Sequence, residues 1–174
     1  MPPPDLHVLE DPAAAVAELI ADQARRGGSI VLTGGSTPGG AYERAATLQP
    51  ADAAGELDRL LEAAALDLLL LGLGPDGHVA SLFPGSPQLA VEDRRATSGP
   101  AGLAPWVARV TMTMPTLRSA RRIVFLITGE EKADAVARAF QGDITPDMPA
   151  SLLRSGQVPV EVFLDAAAAS KLEA

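Results

Sequence analysis

Two side chains suited to moving a proton near neutral pH stand two residues apart in the stretch LLLLGLGPDGHVASLFPGS, Leu68–Ser86. The chain has only two histidines, and one of them, His78, follows Asp76 across a single glycine. An imidazole accepts or donates a proton near pH 7. A neighbouring carboxylate orients it and stabilises its charged form. Gly72, Gly74 and Gly77 let the chain bend sharply off the leucine run that precedes them. A turn with an incidental histidine has the same composition, so the residues alone leave both readings open.

Two further loops could handle an anion. Gly34-Gly35-Ser36-Thr37-Pro38 offers successive backbone N–H groups and two hydroxyls. A helix starting near Pro38 would add its positive end, an arrangement suited to phosphate. A plain strand-to-helix turn with a Ser or Thr cap fits equally well. No Gly-Lys-Ser/Thr follows at Walker spacing. Gly129-Glu130-Glu131-Lys132 places one of the chain's two lysines in the expected first turn of a helix, where the dipole disfavours a cation. Lys132 is then either aimed at an anion or a solvated lysine paired with Glu130 or Glu131.

These loops need strands to hold them. Asp5–Glu10 reads as a short edge strand, with His7 a solvated residue on it. Pro12–Arg26 reads as a helix with Val16, Leu19 and Ile20 on one face, stopped by Gly27-Gly28. Ser29–Thr33, Asp67–Leu73, Val107–Met114, Arg122–Thr128 and Val158–Leu164 read as strands. Gly39–Leu48, Glu56–Leu66 and a segment with Ala133, Val136, Ala137 and Phe140 on one face read as helices. Asp165 is placed to cap a short C-terminal helix. Alternation of this kind predicts an α/β fold, a mostly parallel sheet flanked by helices, in one domain over residues 1–174. Ligands then bind beyond the carboxyl ends of the strands, where the glycine-rich turns fall. There is no internal repeat and no long linker.

Composition narrows the function. The 174 residues are 47% hydrophobic and 21% charged, with aromatics at 3%, so the core must be built from Ala, Leu and Val. A net charge of −8 disfavours sequence-independent nucleic-acid binding and an anionic membrane surface. It does not oppose a small phosphorylated ligand held by a few local donors. The absence of cysteine excludes disulfides, thiolate catalysis and Cys-type zinc sites. With no signal-peptide pattern and no apolar run long enough to span a bilayer, a cytoplasmic protein is expected.

Taken together, GGSTP at Gly34–Pro38, LLGLGPDGHVASLFPG at Leu70–Gly85, RVTMTMPTL at Arg109–Leu117, the strand and GEEK stretch ending at Lys132, and MPASLL at Met148–Leu153 resemble the 6-phosphogluconolactonase family. That family lies within a larger group that includes glucosamine-6-phosphate isomerase/deaminase. The resemblance implies a modified Rossmann-like fold and hydrolysis of 6-phospho-D-glucono-1,5-lactone to 6-phosphogluconate in the oxidative pentose phosphate pathway. It implies no metal and no organic cofactor. His78 is then the general base, with Asp76 holding it. Gly34, Gly35, Ser36, Thr37 and Lys132 bind the 6-phosphate, and Arg109 adds a cation or is a surface strand residue. The deaminase branch carries an Asn-Glu pair before the proline, where this chain has Ala80-Ser81-Leu82-Phe83-Pro84, which favours the lactonase.

One family feature is absent. Members carry a further strand with Asp-Glu-Arg, then a Ser-Asn element, between the helix after GGSTP and the next helix. Here Leu48-Gln49-Pro50-Ala51-Asp52 joins the two, and no Asp-Glu-Arg occurs in the sequence. The family's arginine there faces the substrate; Arg44 and Arg59 are candidates to replace it only by proximity. The resemblance therefore implies a sheet lacking one strand unit. An exposed edge would favour homo-oligomers, and turnover would be reduced or lost, leaving a sugar-phosphate-binding homologue as the alternative. An isomerase/deaminase is the third reading.

Overall fold

Uninterrupted apolar strands need cover on both faces, and alternate residues of these strands divide between two layers. The structure, a computed structural model, describes residues 3–27, 30–32, 50–62, 66–102, 104 and 106–173. In chain order its strands are β1 (Asp5–Val8), β2 (Ile30–Leu32), β3 (Leu68–Leu71), β4 (Ala96–Gly99), β5 (Arg109–Met112), β6 (Ile123–Ile127) and β7 (Val160–Leu164). The α-helices are α1 (Pro12–Arg25), α2 (Pro50–Glu62), α3 (Met114–Arg118) and α4 (Ala133–Phe140). Short 3-10 turns cover Pro87–Ala90, Glu130–Lys132 and Pro149–Ser155.

Among the described residues five strands form one sheet in the order β1-β7-β6-β3-β2, and each pairing is parallel. Leu68, Val124 and Phe163, with Leu70 and Leu126, face one layer and pack with Val16, Leu19 and Ile20 of α1. The intervening residues Leu69, Leu71, Ile123, Phe125, Ile127, Val160, Val162 and Leu164 face the other. There they meet Leu61 of α2, Leu117 of α3 and Val136 and Phe140 of α4. This period-two division is what strand geometry dictates.

Charge closes the amino end of the sheet. Arg122 makes a two-pronged pair with Glu161, Nε to Oε1 and Nη2 to Oε2, both at 2.7 Å, and Arg121 reaches Asp67 at 2.7 Å. The Glu161 carboxylate holds the Arg122 guanidinium above its ordinary pKa. The carboxyl end is left to the glycine-rich turns.

Several expectations need correction. The Val107–Met114 strand is only Arg109–Met112, and it lies outside the main sheet, paired antiparallel with β4. The helix expected from Glu56 begins at Pro50, because proline suits a first helical turn and Asp52 favours the positive end. On α4 the buried residues are Ala133, Ala135, Val136, Ala139 and Phe140; Ala137 is half-buried. His7 is not simply solvated, since its ring stacks on Phe163 with centroids 4.6 Å apart. Among the described residues no helix follows Asp165; residues 166–171 are turns, because the one i→i+4 bond, from the Ala169 N–H to the Asp165 carbonyl, is not continued by a second. The helix expected at Gly39–Leu48 lies outside the described residues. Among the described residues no helix is long and apolar enough to cross a membrane.

Candidate active site

β3 ends at Leu71 and the chain turns immediately. The Gly77 N–H donates to the Gly74 carbonyl and the Gly74 N–H to the His78 carbonyl, both at 2.9 Å. Gly77 adopts φ +87°, a value side chains rarely tolerate. Gly74 serves differently: a Cβ there would overlap the His78 ring and the Asp76 carboxylate. Gly72 has open space around it and no positive φ, so it is not needed as the sequence had suggested.

The loop folded this way joins the two candidate residues. His78 Nδ1 lies 2.6 Å from Asp76 Oδ1, and the same oxygen accepts the His78 backbone N–H at 3.1 Å. A carboxylate accepts only, so the Nδ1 position carries the proton and Nε2 is left as the basic nitrogen. The side chains are 20% and 34% exposed, which keeps the pair within reach of a ligand. On the inner side the imidazole rests against Phe83, centroids 4.7 Å apart. Val79, Leu82 and Phe83 are buried, which anchors the loop in the core.

Two other segments brace this turn; both lie in stretches that carry the family resemblance, MPASLL and RVTMTMPTL, but their contacts with the turn were not legible. Met148 fills the space beside the Cα of Gly77, and the Ala150 N–H donates to the Gly77 carbonyl at 3.0 Å. The turn carrying Met148 and Ala150 is tied in turn to α3, because Arg118 donates to the Leu152 carbonyl from Nε at 3.0 Å and Nη2 at 2.7 Å. Burial lowers the Arg118 pKa. From the other direction, Thr111 of β5 accepts the Ser81 N–H on its hydroxyl at 3.2 Å. Arg109 shares that face of β5 by the two-residue alternation and is half-buried.

Lys132 does not open a helix as expected; it ends the 3-10 turn Glu130–Lys132 just before α4. Among the described residues it makes no ion pair with Glu130 or Glu131. Its turn leaves β6, the strand beside β3, and neighbouring strands are about 4.8 Å apart. The two loops therefore leave the sheet side by side. Gly34, Gly35, Ser36 and Thr37 lie outside the described residues, as does Arg44; they follow β2, which borders β3. Arg59 is exposed on α2.

A concavity of about 360 Å³ lies elsewhere, between α2 and β4, lined by Asp58, Arg94 and Thr97 among others. Its charged groups are already engaged: Asp58 accepts the Arg95 and Ala96 N–H groups, and Arg94 pairs with Asp93. Among the described residues no group of three or more acidic or histidine side chains is placed to hold a metal ion.

Known proteins are similar to this chain in sequence and in fold. The 6-phosphogluconolactonase of Streptomyces coelicolor is 42% identical over 106 residues, covering 61% of this chain and 40% of that protein. The chain thus spans about two fifths of the length of the curated relatives it matches. The solved 6-phosphogluconolactonase of Trypanosoma brucei matches with a TM-score of 0.62 at 28% identity, over 70% of this chain and 53% of that one. That of Trypanosoma cruzi has the same fold, with a TM-score of 0.77 at 22% identity over 98% and 97%. Residues 43–162, which include β3, the His78 turn and β6, match the glucosamine-6-phosphate isomerases/6-phosphogluconolactonase family. The chain belongs to that family.

Proposed function

We propose that the protein hydrolyses 6-phospho-D-glucono-1,5-lactone to 6-phosphogluconate, the second step of the oxidative pentose phosphate pathway. The observation that carries this reading is the Asp76–His78 pair at 2.6 Å, held at the carboxyl end of β3 with Nε2 left basic. Nε2 takes a proton from water as its oxygen attacks the lactone carbonyl. The tetrahedral intermediate then collapses, the bond from C1 to the ring oxygen breaks, and the imidazolium returns the proton to that oxygen. The new carboxyl group ionises in solution. Asp76 keeps the ring in the correct tautomer and stabilises the imidazolium.

The ammonium of Lys132, with Gly34, Gly35, Ser36 and Thr37, holds the 6-phosphate, and Arg109 supplies a cation nearer the sugar. Binding energy from the remote phosphate positions the carbonyl for attack. No metal or organic cofactor enters these steps. The protein works as a cytoplasmic enzyme and has no nucleic-acid or membrane partner; an open sheet edge would allow it to self-associate.

A second reading is favoured by one sequence observation, the absence of an Asp-Glu-Arg triplet. On that reading the chain binds sugar phosphates without turnover. Lactone hydrolysis above the spontaneous rate, measured beside calorimetric binding of 6-phosphogluconate, separates the two. Binding without hydrolysis establishes the silent homologue, and ammonia release from glucosamine 6-phosphate would establish the deaminase.

Gly74 gives a test of the geometry that spares every reacting group. In Gly74→Ala the new methyl occupies space now held by the imidazole. The ring must move, and a displacement of about 1 Å is enough to cost roughly 10²-fold. We expect kcat to fall by about that factor while the affinity for 6-phosphogluconate changes little. An unchanged kcat would mean that the position of His78 is irrelevant to the reaction.

A further inference from the structure

β6 and β7 end side by side, with Ile127 opposite Leu164. The residue after β7 is Asp165. Its Oδ1 and Oδ2 accept the Gly129 N–H at 3.2 and 3.1 Å, from 36 residues away in sequence. Oδ1 also accepts the Ala168 N–H at 2.7 Å. Among the described residues no cation pairs with this carboxylate, so its charge is directed at backbone N–H groups, where such bonds are strong.

Gly129 is the residue from which the lysine turn starts. It stands at φ 97° and ψ 143°, a conformation open to glycine. Its carbonyl accepts the Lys132 N–H at 3.1 Å and so closes the turn Glu130–Lys132. The carboxylate therefore grips the N–H of the residue whose carbonyl sets where Lys132 begins its reach. We propose that Asp165 is a positioning residue for the anion-binding lysine, fixing Gly129 and through it the Lys132 turn. This rests on the reading of the site as a sugar-phosphate pocket, and it adds to that pocket a residue that need not touch the ligand.

A double-mutant cycle on binding of 6-phosphogluconate, read by calorimetry, tests it whether or not the chain turns over lactone. Lys132→Ala is expected to raise Kd about tenfold or more, the usual effect of losing a charged hydrogen-bond partner. Asp165→Ala is expected to raise it about five- to tenfold. The double variant should bind no worse than Lys132→Ala alone, because without the ammonium nothing remains to be positioned. Asp165→Asn keeps an acceptor for the Gly129 N–H and should stay within about threefold of wild type. Thermal unfolding of each variant guards against misfolding. If Asp165→Ala does not fold, Gly129→Ala disturbs the same turn from the other side and carries the same expectations.

An unchanged Kd in the folded Asp165→Ala or Gly129→Ala variant, or effects that add fully in the cycle, would overturn the inference and leave the pocket standing. A wild-type chain that does not bind 6-phosphogluconate would remove the pocket and the inference together.

Discussion

Replacing His78 with alanine should lower kcat for 6-phosphogluconolactone hydrolysis by about 10²–10⁴-fold, the range general acid–base catalysis supplies. KM should move by less than about threefold, because the phosphate contacts proposed here lie on other loops. The chain should still fold: the imidazole is part-exposed and contributes one ring contact, with Phe83, a pair worth about 0.5–1.5 kcal/mol. Asp76→Asn should fall between wild type and His78→Ala. An amide can still accept the Nδ1 proton, but it stabilises the imidazolium less than a carboxylate does. The measurement is initial rate minus spontaneous hydrolysis, with circular dichroism as the control. Equal slow rates in wild type and His78→Ala would end the enzymatic assignment.

The second large effect concerns stability. Phe125 is fully buried at the middle of β6, opposite Leu71 of β3 and Val162 of β7. Its ring meets Phe140 of α4 edge-on, with centroids 5.2 Å apart at 74°. The chain has four phenylalanines, Phe83, Phe125, Phe140 and Phe163, and all four are buried. The ring packs within a buried cluster of Leu, Ile, Val, Ala, Met and Phe140, so its removal leaves a cavity. Phe125→Ala should therefore cost about 3–5 kcal/mol, a large share of the 5–15 kcal/mol typical of a domain. At about 2–4 °C per kcal/mol for a chain of this size, Tm should drop by roughly 6–20 °C. In urea the midpoint should fall with an unchanged slope. A loss below about 1 kcal/mol would show that the sheet and α4 repack without the ring.

The parallel sheet was legible because doubly covered strands are written as apolar runs: LLLL in β3 and IVFLI in β6 need no context. β4 was not legible. Ala-Thr-Ser-Gly has no alternation to detect, and the segment becomes a strand only because β5 pairs with it and Asp58 of α2 accepts the N–H groups of Arg95, just before it, and of Ala96, its first residue. The start of α2 was missed for a related reason. Its first turn buries little, so apolar spacing found only the half that packs. At the site, the Asp76–His78 pair was visible because both partners lie within one tight turn. Met148 and Thr111 act on that turn from 30 or more residues away, Arg118 only through the turn that carries Met148, and nothing local to them announces the contact. Asp165 was read as the cap of a helix that does not form; it accepts the Ala168 N–H within a turn, and its longer reach to Gly129 required two strand ends to be brought together first.

Asp58 has one more consequence. Together with the Arg95 guanidinium, which donates to the Leu61 carbonyl at 2.8 Å, it fastens α2 to the start of β4. The Arg95 carbonyl then accepts the Thr113 N–H at 2.9 Å and the Thr116 hydroxyl at 2.8 Å, while Thr111 of the same ribbon carries Ser81. The histidine turn is thus moored, through a few polar knots, to α2. A change in how α2 seats on β4 would tug on that mooring, and the Asp76–His78 geometry would register it with both side chains intact.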